Sequence, residues 1–100
     1  MVRAQVVLEK GAVRITGDIE HPVIPIGDIR DVEVVSTTSA VGLFISYPVL
    51  VKAEDDWEPL RPLRRLDVDG RPHPDVVARA RALHDHVFGA DPSATPDHLR

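Results

Sequence analysis

One amphipathic stretch near the end of the chain sets the terms for everything before it. In His73-Pro74-Asp75-Val76-Val77-Ala78-Arg79-Ala80-Arg81-Ala82-Leu83-His84-Asp85-His86-Val87-Phe88-Gly89, the residues Val76, Ala80, Leu83 and Val87 recur at the four-and-three spacing of one helix face. Val77 and Phe88 stand beside that stripe, and Arg79, Arg81, Asp85 and His86 fall elsewhere. Pro74 suits a first helical turn, where its missing N–H has no intrahelical partner to lose, and Gly89 can take the left-handed conformation that closes a helix. A lone helix cannot bury an apolar stripe by itself, so the rest of the chain must supply the surface.

That remainder reads as strand. Gln5-Val6-Val7-Leu8-Glu9 alternates with Val6 and Leu8 on one face, and after Lys10-Gly11 the run Ala12-Val13-Arg14-Ile15-Thr16 alternates again, which predicts a hairpin. Residues 17–22 are a polar connection, and Val23-Ile24-Pro25-Ile26 is a short apolar segment that Pro25 confines to an edge or a strand end. Val32-Glu33-Val34-Val35 predicts a further strand, and Ser36-Thr37-Thr38-Ser39 a small polar loop. Leu43-Phe44-Ile45-Ser46-Tyr47 and Val49-Leu50-Val51-Lys52 form either one long strand bent at Pro48 or two strands meeting there, because proline lacks a ladder donor. Residues 54–59 read as an acidic turn carrying the one tryptophan, Trp57. Between Leu60 and Val68 the leucine spacing suggests a helical turn, while Pro62 and the Leu66/Val68 alternation favour a strand starting near Leu63. One domain over residues 1–89 and a disordered tail over 90–100 follow from this order.

Six or seven short antiparallel strands followed by one helix give an α+β fold, a rolled sheet or small barrel with the helix sealing its open end. In this order, and in Pro25-Ile26-Gly27-Asp28-Ile29-Arg30-Asp31-Val32-Glu33-Val34, the chain resembles the pleckstrin-homology-like domains. The segment looks like the "I-P-x-x-D-I-x-x-V-x-V" run into a middle strand of short bacterial members. The resemblance implies a seven-stranded roll capped by the C-terminal helix.

Composition narrows the functions open to such a domain. With no cysteine, disulfides, thiolate metal sites and cysteine catalysis drop out together. Ten Arg and two Lys against eleven Asp and five Glu leave a formal charge of −4, which speaks against nucleic acid or anionic lipid as partner. The N-terminus lacks a secretory leader pattern, and the apolar stretch 40–51 is shorter than a membrane span needs, so a cytoplasmic setting is expected.

No cofactor and no metal are expected. His84 and His86 lie two apart on the helix and point to nearly opposite sides, and Asp67-Val68-Asp69-Gly70 lacks the bidentate glutamate of a calcium loop. Hydroxyls at Ser36, Thr37, Thr38, Ser39, Ser46 and Tyr47 come without a nucleophile elbow or phosphate loop, so no enzyme is expected. Residues 41–51 carry apolar side chains on both faces, and only one face can meet a single core. The other is either covered as well or exposed as a docking surface. In the second case Leu43, Ile45, Tyr47, Val49 and Leu50, at a strand edge, with residues 36–42 and Trp57 alongside, form a site for a protein partner or a homo-oligomer. The alternative is a phosphate-recognising module for lipid head groups or nucleic acid. It would use Lys10 and Arg14, where lipid-binding members of the family carry basic residues, and the cluster Arg61, Arg64 and Arg65.

Overall fold

Alternating Val and Ile place the first hairpin as expected. The computed structural model describes residues 5–17, 22–67, 71–89 and 95–99. Strand β1 (Gln5–Glu9) pairs antiparallel with β2 (Ala12–Thr16) around Gly11, which turns the chain at a φ of +79°. Strand β3 (Val23–Pro25) joins the other side of β2 and stops at its proline, completing a first sheet in the order β1-β2-β3. Val13, Ile15 and Ile24 turn inward and are buried.

The second sheet is built on β4 (Ile29–Thr38) and β5 (Phe44–Lys52), which pair along nearly their whole length. A bulge between Ile29 and Asp31 explains how Ile29 and Val32, three apart, both reach the core. Ser36, Thr37 and Thr38, expected in a loop, continue β4 opposite Ser46, Ile45 and Phe44. The β-branched threonines fit a pleated strand, and their exposure accounts for the polarity that looked like a loop. The turn follows at Ser39, where the Leu43 and Gly42 amides bond back, with Gly42 at a φ of +82°.

Pro48 does not divide β5, which runs as one long strand. On its far edge β5 pairs first with β7 (Arg65–Asp67) at Phe44, Ile45 and Ser46, then with β6 (Trp57–Pro59) at Val49, Leu50 and Val51. Pro48 lies in the gap between these partners. Its carbonyl accepts the Leu60 amide at 2.9 Å, so in an extended residue its donorless nitrogen faces the same gap and costs no ladder bond. The segment 61–63 is a short helical turn and β7 begins only at Arg65, so both signals in that stretch were real.

Helix α1 (Pro74–Phe88) has Pro74 in its first turn and ends at Gly89, whose φ is +95°. His73 serves as its N-cap, Nδ1 accepting the Asp75 amide at 3.1 Å. The His73 amide in turn donates to Ser46 Oγ at 3.2 Å, and His86 Nε2 donates to the Ala12 carbonyl at 3.1 Å, tying the helix to both sheets. Val76, Ala80 and Leu83 are buried, as the stripe requires, and so is His84. Residues 95–99, expected in a disordered tail, instead form a short turn whose Leu99 is 0% exposed and belongs to the core. A single leucine among polar neighbours carries no periodic signal, which is why the sequence hid it. Residues 90–94 and 100 lie outside the described residues.

The result is α+β: two antiparallel sheets, seven strands among the described residues, and one C-terminal helix around a shared core of Val13, Ile24, Val32, Leu50, Leu60, Leu83 and Leu99. Strand pairing does not join the two sheets among the described residues, so the expected closed barrel is not formed. No helix among these residues is long and apolar enough to cross a membrane.

Candidate docking face

Strand β5 was expected to offer an edge, and it does not. One edge is taken by β4 and the other by β7 and β6, leaving no row of free backbone groups for an added strand. The free edge of β4 is itself blunted at Val32. The Val32 amide donates to Asp31 Oδ1 at 2.8 Å, and its carbonyl accepts from His98 Nε2 at 2.9 Å. Docking on β5 itself must therefore use a face.

Alternation along β5 separates its two faces. Ser46, Pro48 and Leu50 turn inward toward the helix and core, and Leu50 is 0% exposed, so it offers nothing to a partner. Ile45, Tyr47, Val49 and Val51 turn outward. Across the strands they meet Thr37, Val35, Glu33 and Asp31 of β4, Leu66 of β7, and Pro59 and Trp57 of β6. Val49 is 1% exposed, hemmed in by Glu33 and Pro59 beside it and by Tyr47 and Val51 along the strand. Ile45, Tyr47, Val35 and Val51 are half-buried, while Trp57 at 48% and Leu66 at 62% stand exposed. Leu43 is half-buried at the end of the turn, before β5 begins. Trp57 thus sits in a strand on this face, not in a loop. Sequence reading missed Val35 and Leu66; the pairing register that brings them beside β5 has no local signature.

The cationic candidates divide. Arg14 is bound by the Glu9 carboxylate across the hairpin, Nε to Oε1 and Nη2 to Oε2 at 3.3 Å. This pairing holds the Glu9 carboxyl below the usual carboxylate range and raises Arg14 further. Arg65 lies 3.7 Å from Asp75 on the helix, and Lys10 is exposed at the hairpin turn, remote in sequence from the arginine cluster. Arg61 and Arg64 have no carboxylate partner among the described residues. The one bond between them runs from Arg64 Nη1 to the Arg61 carbonyl at 3.5 Å. Nearby acids are engaged elsewhere: Asp56 and Glu58 face Lys52 at 3.2 and 4.0 Å.

Arg61 and Arg64 line a groove of about 290 Å³ with Thr37, Ile45 and Tyr47. They also border a second crevice of about 340 Å³, shared with Glu58 of β6, with Ile15 and Thr16 of β2 and with Pro22. Two sets of residues that were separate alternatives in the sequence, the apolar strand and the arginines, therefore adjoin. Chemically the face offers an aliphatic and aromatic floor beside two guanidinium groups that have no carboxylate partner among the described residues. Among the described residues no group of three or more His, Asp or Glu side chains is placed to hold a metal ion. Ser46 Oγ is occupied in accepting the His73 amide. Comparison with family models, with curated proteins and with solved structures gave no significant match.

Proposed function

We propose that this chain is a non-enzymatic docking module that joins to protein surfaces, its own copy included, through the outer face of its second sheet. The observation that carries this is the row Leu66, Ile45, Tyr47 and Val35, with Val51 and Trp57 beyond it, on the face opposite the helix. Apolar side chains left half-exposed and contiguous across three strand positions lose free energy to water that a partner would recover. Tyr and Trp supply large contact area at small entropic cost, and arginine at the margin is a frequent interface residue. The strand order and the C-terminal helix support placing the domain with the pleckstrin-homology-like folds, as a variant whose sheets stay unjoined.

Among the described residues, Arg61 and Arg64 are the arginines of the phosphate-recognising alternative without a carboxylate partner, since Arg14 and Arg65 face carboxylates. Counterion-driven phosphate binding would weaken steeply with salt, whereas an apolar face contact would not.

The test is a set of methyl and indole NMR spectra across a protein concentration series. Signals of Val35, Ile45, Val51, Trp57 and Leu66 should shift together while those of Val7 and Val23, exposed on the first sheet, stay fixed. Shifts confined to the first sheet or the helix would place docking elsewhere and end this proposal.

A further inference from the structure

We infer that the partner seated on this face is a second copy of the chain, held in register by Glu33 of each copy against Arg61 and Arg64 of the other. The inference rests on the docking role of the outer face and adds the occupant and its register. Glu33 lies on that face opposite Val49 and has no ion-pair partner among the described residues. Arg61 and Arg64, also without a carboxylate partner among the described residues, lie across β5 from Glu33, in the groove lined by Thr37, Ile45 and Tyr47. The Val35–Tyr47 pair stands midway, two residues from Glu33 in one direction and two from Thr37 in the other. Along the strand Glu33 is thus offset by about 7–13 Å from the residues that line the arginine groove, and Glu33 and the arginines occupy opposite sides of β5.

A face with an acid on one side of β5 and bases on the other, offset along the strand, is complementary to itself. A two-fold axis lying in the interface and crossing the Val35–Tyr47 pair obliquely brings each Glu33 onto the opposing arginines, so that both unpaired charges are satisfied twice. The strands of the two sheets would then cross steeply, one of the two common modes of face packing. Tyr47 of each copy would meet near the axis, where aromatic anchors concentrate binding energy. Three strand positions and the nine residues of β5 span about 14 by 30 Å, roughly 430 Å² per copy. That is an upper bound, since crossed strands overlap over only part of their length. Doubled, it still lies below the roughly 1,200 Å² of total area that stable specific interfaces bury, so it fits weak, reversible association, not a permanent dimer.

The experiment is sedimentation velocity across a concentration series at low ionic strength, on the full chain and on Glu33→Arg, Arg64→Glu, the double swap and Tyr47→Lys, each checked for folding by circular dichroism. Each single reversal should weaken association by about tenfold or more, and the double swap should recover most of the loss. If either reversal disturbs folding, Glu33→Gln and Arg64→Gln replace them, and each should weaken association without adding repulsion. Self-association lost in Tyr47→Lys but untouched by the charge variants, or weakened by each reversal without recovery in the swap, would overturn the register while leaving the docking face in place. A wild-type monomer at every concentration would overturn the second copy as occupant.

Discussion

Leu99→Ala tests whether the last described turn belongs to the core. Leu99 is 0% exposed and packs in the same cluster as Val32, Leu50 and Leu83. The change removes three carbons, worth about 2.4 kcal/mol at roughly 0.8 kcal/mol per buried methylene. An unfilled cavity adds to that in rigid surroundings, but a turn of only three residues can settle into the space. The loss should therefore fall near the lower part of the usual Leu→Ala range, about 2.5–3 kcal/mol. For a domain of this size that lowers the melting temperature by roughly 10–20 °C, a large share of the total stability. Urea unfolding followed by far-ultraviolet circular dichroism, with Leu66→Ala as an exposed control, measures it. Leu99→Ala within about 0.5 kcal/mol of wild type, no worse than a surface change, would refute the placement of Leu99 in the core.

Other expectations follow from particular contacts. His84 is buried against Phe88, ring centroids 4.6 Å apart, and its Nδ1 has no hydrogen-bond partner among the described residues. His84→Leu should then raise stability by about 1 kcal/mol, read as a higher urea midpoint at unchanged slope; a loss of that size would show that the nitrogen is satisfied. Ser46→Ala leaves the His73 amide without its acceptor and should cost about 1–2 kcal/mol, with early fraying of the first helical turn in amide exchange. Glu9 has its carboxyl lowered by Arg14, so its contribution is complete above the unfolded value of about 4.3 and fades as pH falls through the lower folded value. Being exposed, the pair matters little, and Glu9→Gln should flatten only a shallow acid dependence of hairpin exchange; a steep dependence surviving in Glu9→Gln would point to another group.

What could be read from the chain alone was whatever repeats locally. Val6, Leu8, Val13 and Ile15 alternate, and Val76, Ala80, Leu83 and Val87 step at helical spacing, so the hairpin and helix emerged with nearly their observed ends. Strand Ile29–Thr38 was shortened because its last three residues are hydroxylic and solvent-facing, and composition alone cannot tell such a strand end from a loop. Pro48 could not be placed without knowing that β5 changes partners beside it. The same limit applied to the site. That Ile45 and Tyr47 face outward while Leu50 faces inward is a consequence of alternation, but which set meets the core is decided by the helix, through Ser46 and His73. The adjacency of Arg61 and Arg64 to Tyr47 arises because β6 and β7 follow one another along the same edge of β5 with residues 60–64 between them, a long-range fact with no sequence signature.

The central claim is that the outer face of the second sheet is a self-docking surface, and solution mass tests it most directly. Light scattering across a concentration series should show reversible association for the wild type and folded monomers for Tyr47→Lys, whereas Leu50→Lys, a charge at a fully buried core position, should not fold at all. A wild type that remains monomeric throughout, or a Tyr47→Lys that associates as well as wild type, would contradict it.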